Sequence, residues 1–373
     1  MKISCKRTDL ASAISSVQRA VSTKSTIPAL QGILLTAEGD NLELVGYDCD
    51  MGIRTTIHAQ VEQPGAACLA AKLLGEIVRK LDGDEVHIEV DAKHTATVKC
   101  GRSKFSLVGV DPATYPDIPK IEEKSSISMG NQTLKNMIRQ TVFAVADDNA
   151  KPIHTGALFE IKGTTMRMVG CDGYRLAIRE ENIGGEHSET TFVVPKKSLQ
   201  EVSKLLPDDN KQCKISIDSR RVTFAAGSYI VFSKLLEGEF LDYRAAIPKQ
   251  SATEVEVKTA ELIASVERVS LMITDRLKSP IRCQFGDDGS IDLSSYTPIG
   301  HAADQLPADI QGEAVEIGFN NRYLLDALQN SETDEVKLAL KGSLYPMTIR
   351  PKDGNSFLFI VLPVRLKPEE AQK

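Results

Sequence analysis

The sequence predicts an α+β chain of three structurally equivalent domains in a row, and three observations predict it. The chain matches itself at a nearly constant offset. Each repeat alternates one-sided helical stretches with short strands bounded by turns. The length of 373 residues exceeds one core, at roughly 100–200 residues per domain. Thr8 to Thr133 is 125 residues, Gly32 to Gly156 and Asp48 to Asp172 are each 124, and Asp172 to Thr297 is 125. Chance similarity does not hold register over so many positions. Solenoid repeats run about 20–50 residues, so units of this size own their cores and do not merely stack.

Each repeat opens with a helical pattern. In TDLASAISSVQRAV, from Thr8, the apolar Leu10, Ile14, Val17 and Val21 recur at spacings of three and four with Asp9 in the first turn, as a helix with one buried face requires. TLKNMIRQTVFAV from Thr133 and TAELIASVERVSL from Thr259 repeat the pattern. Strands follow at LELVGYD, MRMVGCD and IDLSSYT, preceded by the turn sequences EGDN, KGTT and DDGS. A strand end leading into a second helix comes next, in CLAAKLLGEIVRKL, FVVPKKSLQEVSKLL and VEIGFNNRYLLDALQ, with Ala71, Pro195 and Phe319 each 124 apart. The first two repeats close on Ile-Pro-Lys, and these prolines mark linkers. The expected domains are 1–122, 127–249 and 253–366, with a tail at 367–373. Each is two helices laid on antiparallel strands.

Composition narrows the function classes. With 42% hydrophobic and 26% charged residues and no Trp, the chain reads as globular. Asp9 and scattered serines interrupt any secretory apolar run, and no stretch of about 18 apolar residues offers a membrane span, so a cytoplasmic location is expected. Cys5, Cys49, Cys68, Cys100, Cys171, Cys213 and Cys283 are odd in number and dispersed, which argues against a disulfide framework. No CxxC or HxxxH spacing occurs, and His87 and His94 have no cysteine nearby in sequence, so no metal and no cofactor is expected. Only six histidines are present, and neither GxSxG nor a glycine-rich phosphate loop occurs. An enzyme is not expected.

CDGYRLAI at 171–178, SKLLEGEFLDYRAAIPK at 233–249 and FIVLPVRL at 359–366 stand in an order and separation that resemble the beta subunit of bacterial DNA polymerase III, the sliding clamps. TIPALQGILL, GRSKFSL and GFNNRYLLDAL extend the resemblance over nearly the whole chain. It implies three clamp domains per chain and a head-to-tail homodimer closed into a six-domain ring, with helices lining the hole and sheets outside. The implied partners are double-stranded DNA held without regard to sequence, the DNA polymerase III alpha subunit, the clamp loader, and other polymerases and repair proteins carrying clamp-binding motifs. The competing class is a scaffold that binds linear motifs without encircling DNA.

A net charge of −6 would ordinarily oppose nucleic-acid binding. The charge is segregated, however. The helices starting near Ala71, Asn131 and Lys196 carry about +2 each and the other three about 0, so basic charge collects on helices within an acidic chain. The expected DNA contacts are Lys24, Arg102 and Lys104, implied by the resemblance, and Lys72, Arg79 and Lys197, placed by helix position. The resemblance also implies an apolar pocket for short Leu- and Phe-rich motifs containing Gln. It falls on Asp172, Gly173, Tyr174, Arg175, Leu176, Leu241, Tyr243, Tyr323, Leu362, Pro363, Val364, Arg365 and Leu366. Apolar anchors there would bury motif side chains, while Arg175 and Arg365 would hold ligand oxygens. The dimer seam is expected to set Phe105 and Leu107 against Met272 and Ile273. The sequence departs from the family pattern at His154, at Ala245 and in a tail beyond Leu366.

Overall fold

The computed structural model describes residues 1–119, 125–148, 151–274, 276 and 279–366. The linker at 120–124 and the tail at 367–373 lie outside the described residues. The first repeat runs β1 (Lys2–Lys6), α1 (Arg7–Val17), β2 (Gly32–Glu38), β3 (Asn41–Tyr47), β4 (Met51–His58), β5 (Gln60–Gln63), β6 (Gly65–Ala70), α2 (Ala71–Lys80), β7 (Glu85–Val90), β8 (Thr95–Cys100) and β9 (Ser103–Val108). The second runs β10 (Ser125–Gly130), α3 (Asn131–Val142), β11 (Gly156–Cys171), β12 (Arg175–Pro195), α4 (Lys196–Leu205), β13 (Gln212–Ile217), β14 (Arg221–Ala226) and β15 (Tyr229–Lys234). The third runs β16 (Thr253–Lys258), α5 (Thr259–Ser270), β17 (Ile281–Phe285), β18 (Ser290–Thr297), β19 (Gly300–Pro307), β20 (Asp309–Gly312), β21 (Val315–Phe319), α6 (Asn321–Gln329), β22 (Glu335–Leu340), β23 (Met347–Pro351) and β24 (Phe357–Val361).

The two expected helices recur in every repeat. α1 buries Leu10, Ile14 and Val17 as the spacing predicts, but it tightens into a 3-10 turn at Gln18–Ala20, and Val21 is already extended. Turn chemistry also departs once from expectation. EGDN and DDGS end strands at Gly39 (φ +58°) and Gly289 (φ +79°), whereas KGTT lies inside the 16-residue β11. There Gly163 takes φ +57° and the pairing with β12 shifts register on both sides of it. Glycine's tolerance of positive φ lets the strand bend at that point without ending.

Two compact units result, and neither is a single repeat. One comprises Met1–Lys135 with Lys197–Leu235, the other Asn136–Lys196 with Leu236–Lys373. In the first unit, strand order β5-β1-β7-β8-β9 forms one sheet and β10-β13-β14-β15-β4-β3-β2-β6 a second. The second sheet crosses from repeat to repeat where β15 pairs antiparallel with β4, Tyr229 opposite Thr55 and Ser233 opposite Met51. In the second unit, the sheets are β11-β12-β24-β23-β22-β16-β20 and β19-β18-β17-β21. Here β24 meets β12 in the same manner, Val361 opposite Arg175 and Phe357 opposite Arg179. All these pairings are antiparallel, and the alternating burial of strands such as β7 and β22 puts one face of each into a core.

Candidate functional site

β11 delivers Cys171 to a tight reversal, and β12 departs from Arg175. Asp172 folds the turn: its Oδ1 accepts the backbone N–H groups of Tyr174 and Arg175, both at 2.9 Å, while Gly173 takes φ +90°. The Arg175 guanidinium donates from Nε to Asp172 Oδ2 at 2.9 Å and from Nη1 to Asp326 on α6. Its Cζ lies 4.6 Å from the centre of the Tyr323 ring and 5.6 Å from that of Phe143, a cation–π arrangement. Tyr174 stacks on the other aromatic partner, Tyr323, with centroids 5.9 Å apart. Burial, with the Asp172 carboxylate adding to it, pushes the Tyr323 hydroxyl pKa up.

After β24 the chain passes directly over this turn. The Leu362 N–H donates to the Tyr174 carbonyl at 2.9 Å and the Val364 N–H to the Gly318 carbonyl at 2.8 Å. Three apolar side chains are thereby left in water: Tyr174 is 61% exposed, Val364 39% and Leu362 37%. Large exposed apolar side chains gathered by main-chain hydrogen bonds are what a docking site requires. Pro363 sits between the two bonded residues and Arg365 is exposed. Val364, Arg365 and Leu366 line a neighbouring cleft of about 790 Å³ whose other wall includes Lys341 and Leu344.

Beneath the rim lies a closed apolar floor. Leu176 and Tyr243 are buried together with Ile153, Val169, Cys171, Ile178 and Ile360, and Leu241 packs against them half-buried. Tyr243 is only 1% exposed. Its hydroxyl donates to Glu160 Oε2 at 2.5 Å and accepts from Arg167 Nη1 at 3.2 Å. Burial, reinforced by Glu160, raises its pKa. Tyr243 and Leu176 therefore shape the site from below, and the rim residues are the ones open to a ligand. His154 meets the edge of Phe240 at 5.6 Å, and its Nδ1 is buried without a hydrogen-bond partner. Burial, and secondarily Lys151, lowers its pKa. Ala245 is exposed.

Arg175 is bonded within the chain to Asp172 and Asp326, and so orders the rim. Asp326 and Phe143 were not legible from sequence.

The basic candidates divide by pairing. Among the described residues Lys24, Lys72, Arg79, Arg102 and Lys104 are exposed and make no ion pair. Lys72 and Arg79 lie on the outer face of α2, Arg102 on the turn between β8 and β9, and Lys104 in β9. Lys197 instead donates to Asp48 at 2.6 Å. The other cations of α3 and α4 are also paired: Lys135 with Asp208, Arg139 with Glu332, Lys196 with Asp147 and Lys204 with Glu201. Among the described residues no group of His, Cys, Asp and Glu could hold a metal ion, and no helix is long and apolar enough to cross a membrane.

The expected seam residues also divide. β9 ends its sheet, leaving Phe105 38% and Val108 83% exposed, whereas Leu107 is 4% exposed and belongs to the core. β19 ends its sheet in the third repeat. Met272 and Ile273 are half-buried, Ile273 packing on the core, while Leu271 (75%), Ile299 (65%) and Tyr296 (54%) are open. Leu271 follows α5 and Ile299 sits in the turn after β18, where single apolar residues carry no periodic signal, while Tyr296 lies on the open face of β18.

The chain matches the DNA polymerase III beta subunit N-terminal domain over residues 1–119, its central domain over 128–242 and its C-terminal domain over 244–365. It is 34% identical to the beta sliding clamp of Bacillus subtilis, covering 98% of this chain and 100% of that one. It is 32% identical to the beta sliding clamp of Halalkalibacterium halodurans, over 94% and 96% of the two chains. The crystal structure of the Bacillus subtilis DNA polymerase sliding clamp superposes with a TM-score of 0.95 at 34% identity, covering 98% of this chain and 100% of that one. A DNA polymerase III beta subunit from Eubacterium rectale gives 0.93 at 33% identity, covering 98% and 99%. With all three clamp domains matched in order, the chain belongs to the DNA polymerase III beta subunit family, the beta sliding clamps.

Proposed function

We propose that two copies of this chain close head to tail around duplex DNA and, through the rim at Tyr174, Tyr323, Leu362 and Val364, tether the DNA polymerase III alpha subunit, the clamp loader, and other polymerases and repair proteins that carry motifs rich in Leu and Phe. The work is done in the cytoplasm and involves no catalysis. The observation that carries the reading is the unpaired basic charge. Lys72 and Arg79 stand free on α2 in a chain of net charge −6. Such contacts attract a polyanion weakly, with non-specific dissociation constants of about 10⁻⁴ to 10⁻⁶ M. Weak, sequence-blind contact permits sliding, and enclosure supplies retention. A head-to-tail interface whose rotation closes makes a ring, and pairing the open edges of β9 and β19 would leave neither exposed.

The experiment loads the protein onto a nicked circular plasmid with an ATP-driven loader and follows retention by gel filtration. Retention across moderate salt, lost when the plasmid is linearised, is the expected outcome. Equal retention on both forms, or none on the circle, would remove the encirclement reading and leave a motif-binding scaffold. Deleting from Val364 onward should abolish binding of polymerase-derived peptides while leaving the dimer intact. Unchanged peptide affinity in that truncation would misplace the pocket.

A further inference from the structure

The frame that builds the rim occurs twice in this chain. Asp48, Cys49, Asp50 and Met51 precede Asp172, Gly173, Tyr174 and Arg175 by 124 residues each. Their backbones agree as well. Asp48 Oδ1 accepts the N–H groups of Asp50 at 3.0 Å and Met51 at 2.7 Å, as Asp172 does for Tyr174 and Arg175. Cys49 takes φ +76° where Gly173 takes +90°. β15 meets β4 with Phe232 opposite Gly52, and β24 meets β12 with Ile360 opposite Leu176. The Lys234 N–H donates to the Asp50 carbonyl at 2.8 Å, just as the Leu362 N–H donates to that of Tyr174 at 2.9 Å. Lys234 therefore stands where Leu362 stands, and Asp50 where Tyr174 stands.

The floors of the two frames are equally closed. Phe232 (4% exposed) fills the space over Gly52 and packs 5.4 Å from Tyr47, while Ile360 (1%) and Leu176 (4%) fill the other. The rims differ in polarity. One offers the exposed apolar surfaces of Tyr174 and Leu362. The other carries the Lys234 ammonium 2.9 Å from Asp50 and the Lys197 ammonium 2.6 Å from Asp48. An apolar anchor settling on that rim would strip water from two charges and return no hydrogen bond, which burial of the anchor does not offset.

We propose that the turn at Asp48–Met51 is a closed counterpart of the peptide pocket, shut to apolar motifs by the Asp50–Lys234 pair. The inference rests on reading the Tyr174–Leu362 rim as the peptide site.

The test counts bound peptides per full-length chain, by native mass spectrometry and calorimetry, with a synthetic peptide rich in Leu and Phe and containing one Gln. The unmodified protein should bind one. Asp50→Tyr with Lys234→Leu should bind two, the second at least tenfold weaker, and Lys234→Leu alone should give a weaker second site still. Tyr174→Asp with Leu362→Lys should bind none. Two peptides on the unmodified chain, or a single peptide on folded chains carrying either Lys234 variant, would overturn the proposal. If Tyr174→Asp with Leu362→Lys binds as before, the peptide sits elsewhere, and it is the pocket reading that falls.

Discussion

At the scale of single residues the Tyr174 rim depends on a guanidinium held by two carboxylates of its own chain. The Arg175 side chain is 11% exposed and divides its donors between Asp172, three residues away, and Asp326, which is 151 residues away. Removing Asp326 leaves Arg175 neutralised by Asp172 alone, with an Nη1 donor unmet, and loosens the guanidinium that lies over Tyr323. Asp326 is 42% exposed, so solvent screening reduces the loss. Asp326→Ala should cost about 1 kcal/mol in motif-peptide binding, about five- to tenfold in Kd, and Asp326→Glu should restore most of it in the same titration. Asp172 could be read from sequence because its turn is local, but Asp326 could not, because nothing in a helical segment marks which carboxylate will meet a distant arginine. A second prediction concerns acid. The Ser265 hydroxyl, 2.6 Å from Asp304, and then the Arg268 guanidinium hold that carboxyl below the usual carboxylate range. A depressed folded pKa stabilises above the unfolded value of about 3.9, and the benefit disappears as pH falls through the lower folded value. Asp304→Asn should therefore melt below the unmodified protein at pH 7, with the gap closing below about pH 4.

At the scale of elements, one packing problem is solved three times. The first helix of each repeat presses its C-terminal end onto the strand leading to the turn. At Gly46 an added Cβ would lie 2.0 Å from the Val17 carbonyl oxygen, and at Gly170, 124 residues on, 2.2 Å from that of Thr141. In the third repeat Ser295 occupies the corresponding place, and its hydroxyl donates to the Val269 carbonyl at 2.7 Å. Two repeats leave out a side chain and the third uses a small one that bonds to the obstructing oxygen. Gly170→Ala should therefore destabilise by about 1–3 kcal/mol through overpacking, read as a lower thermal midpoint. An unchanged midpoint would mean that α3 can retreat at no cost. The helices themselves were legible because Leu10, Ile14 and Val17 announce a buried face. What escaped was pairing between repeats, such as β15 with β4, since strand alternation identifies a strand's buried face but not its neighbour. The bend at Gly163 escaped for a related reason: a glycine before two threonines reads equally as a turn or a bulge.

At the scale of the whole molecule, the family was legible and the seam only partly. The offset of 124 to 125 residues announced three domains, and motif order announced the clamp. Which apolar residues face a partner depends on which strands end their sheets, and that is a property of topology. β9 and β19 are such strands, and open edges solicit pairing. Leu107, named from its sequence context, is buried, while Val108 beside it is 83% exposed and Phe105 38% exposed. If the edge of β9 meets β19 of a second copy, Val108→Lys with Phe105→Asp places charges of opposite sign on the two faces of one strand. Each then has to be desolvated without a partner across the seam. Sedimentation velocity at micromolar concentration should then report a monomer. Because neither side chain belongs to the core, thermal melting should stay within a few degrees of the unmodified protein. Charged residues at Met272 and Ile273 should weaken the dimer less cleanly, since Ile273 packs on its own core and its replacement also destabilises the fold. A folded Val108→Lys, Phe105→Asp chain that still sediments as a dimer would place the seam elsewhere. A folded monomer that also fails to remain on nicked circular DNA, with peptide binding at the Tyr174 rim intact, would separate enclosure from tethering as two independent properties of one chain.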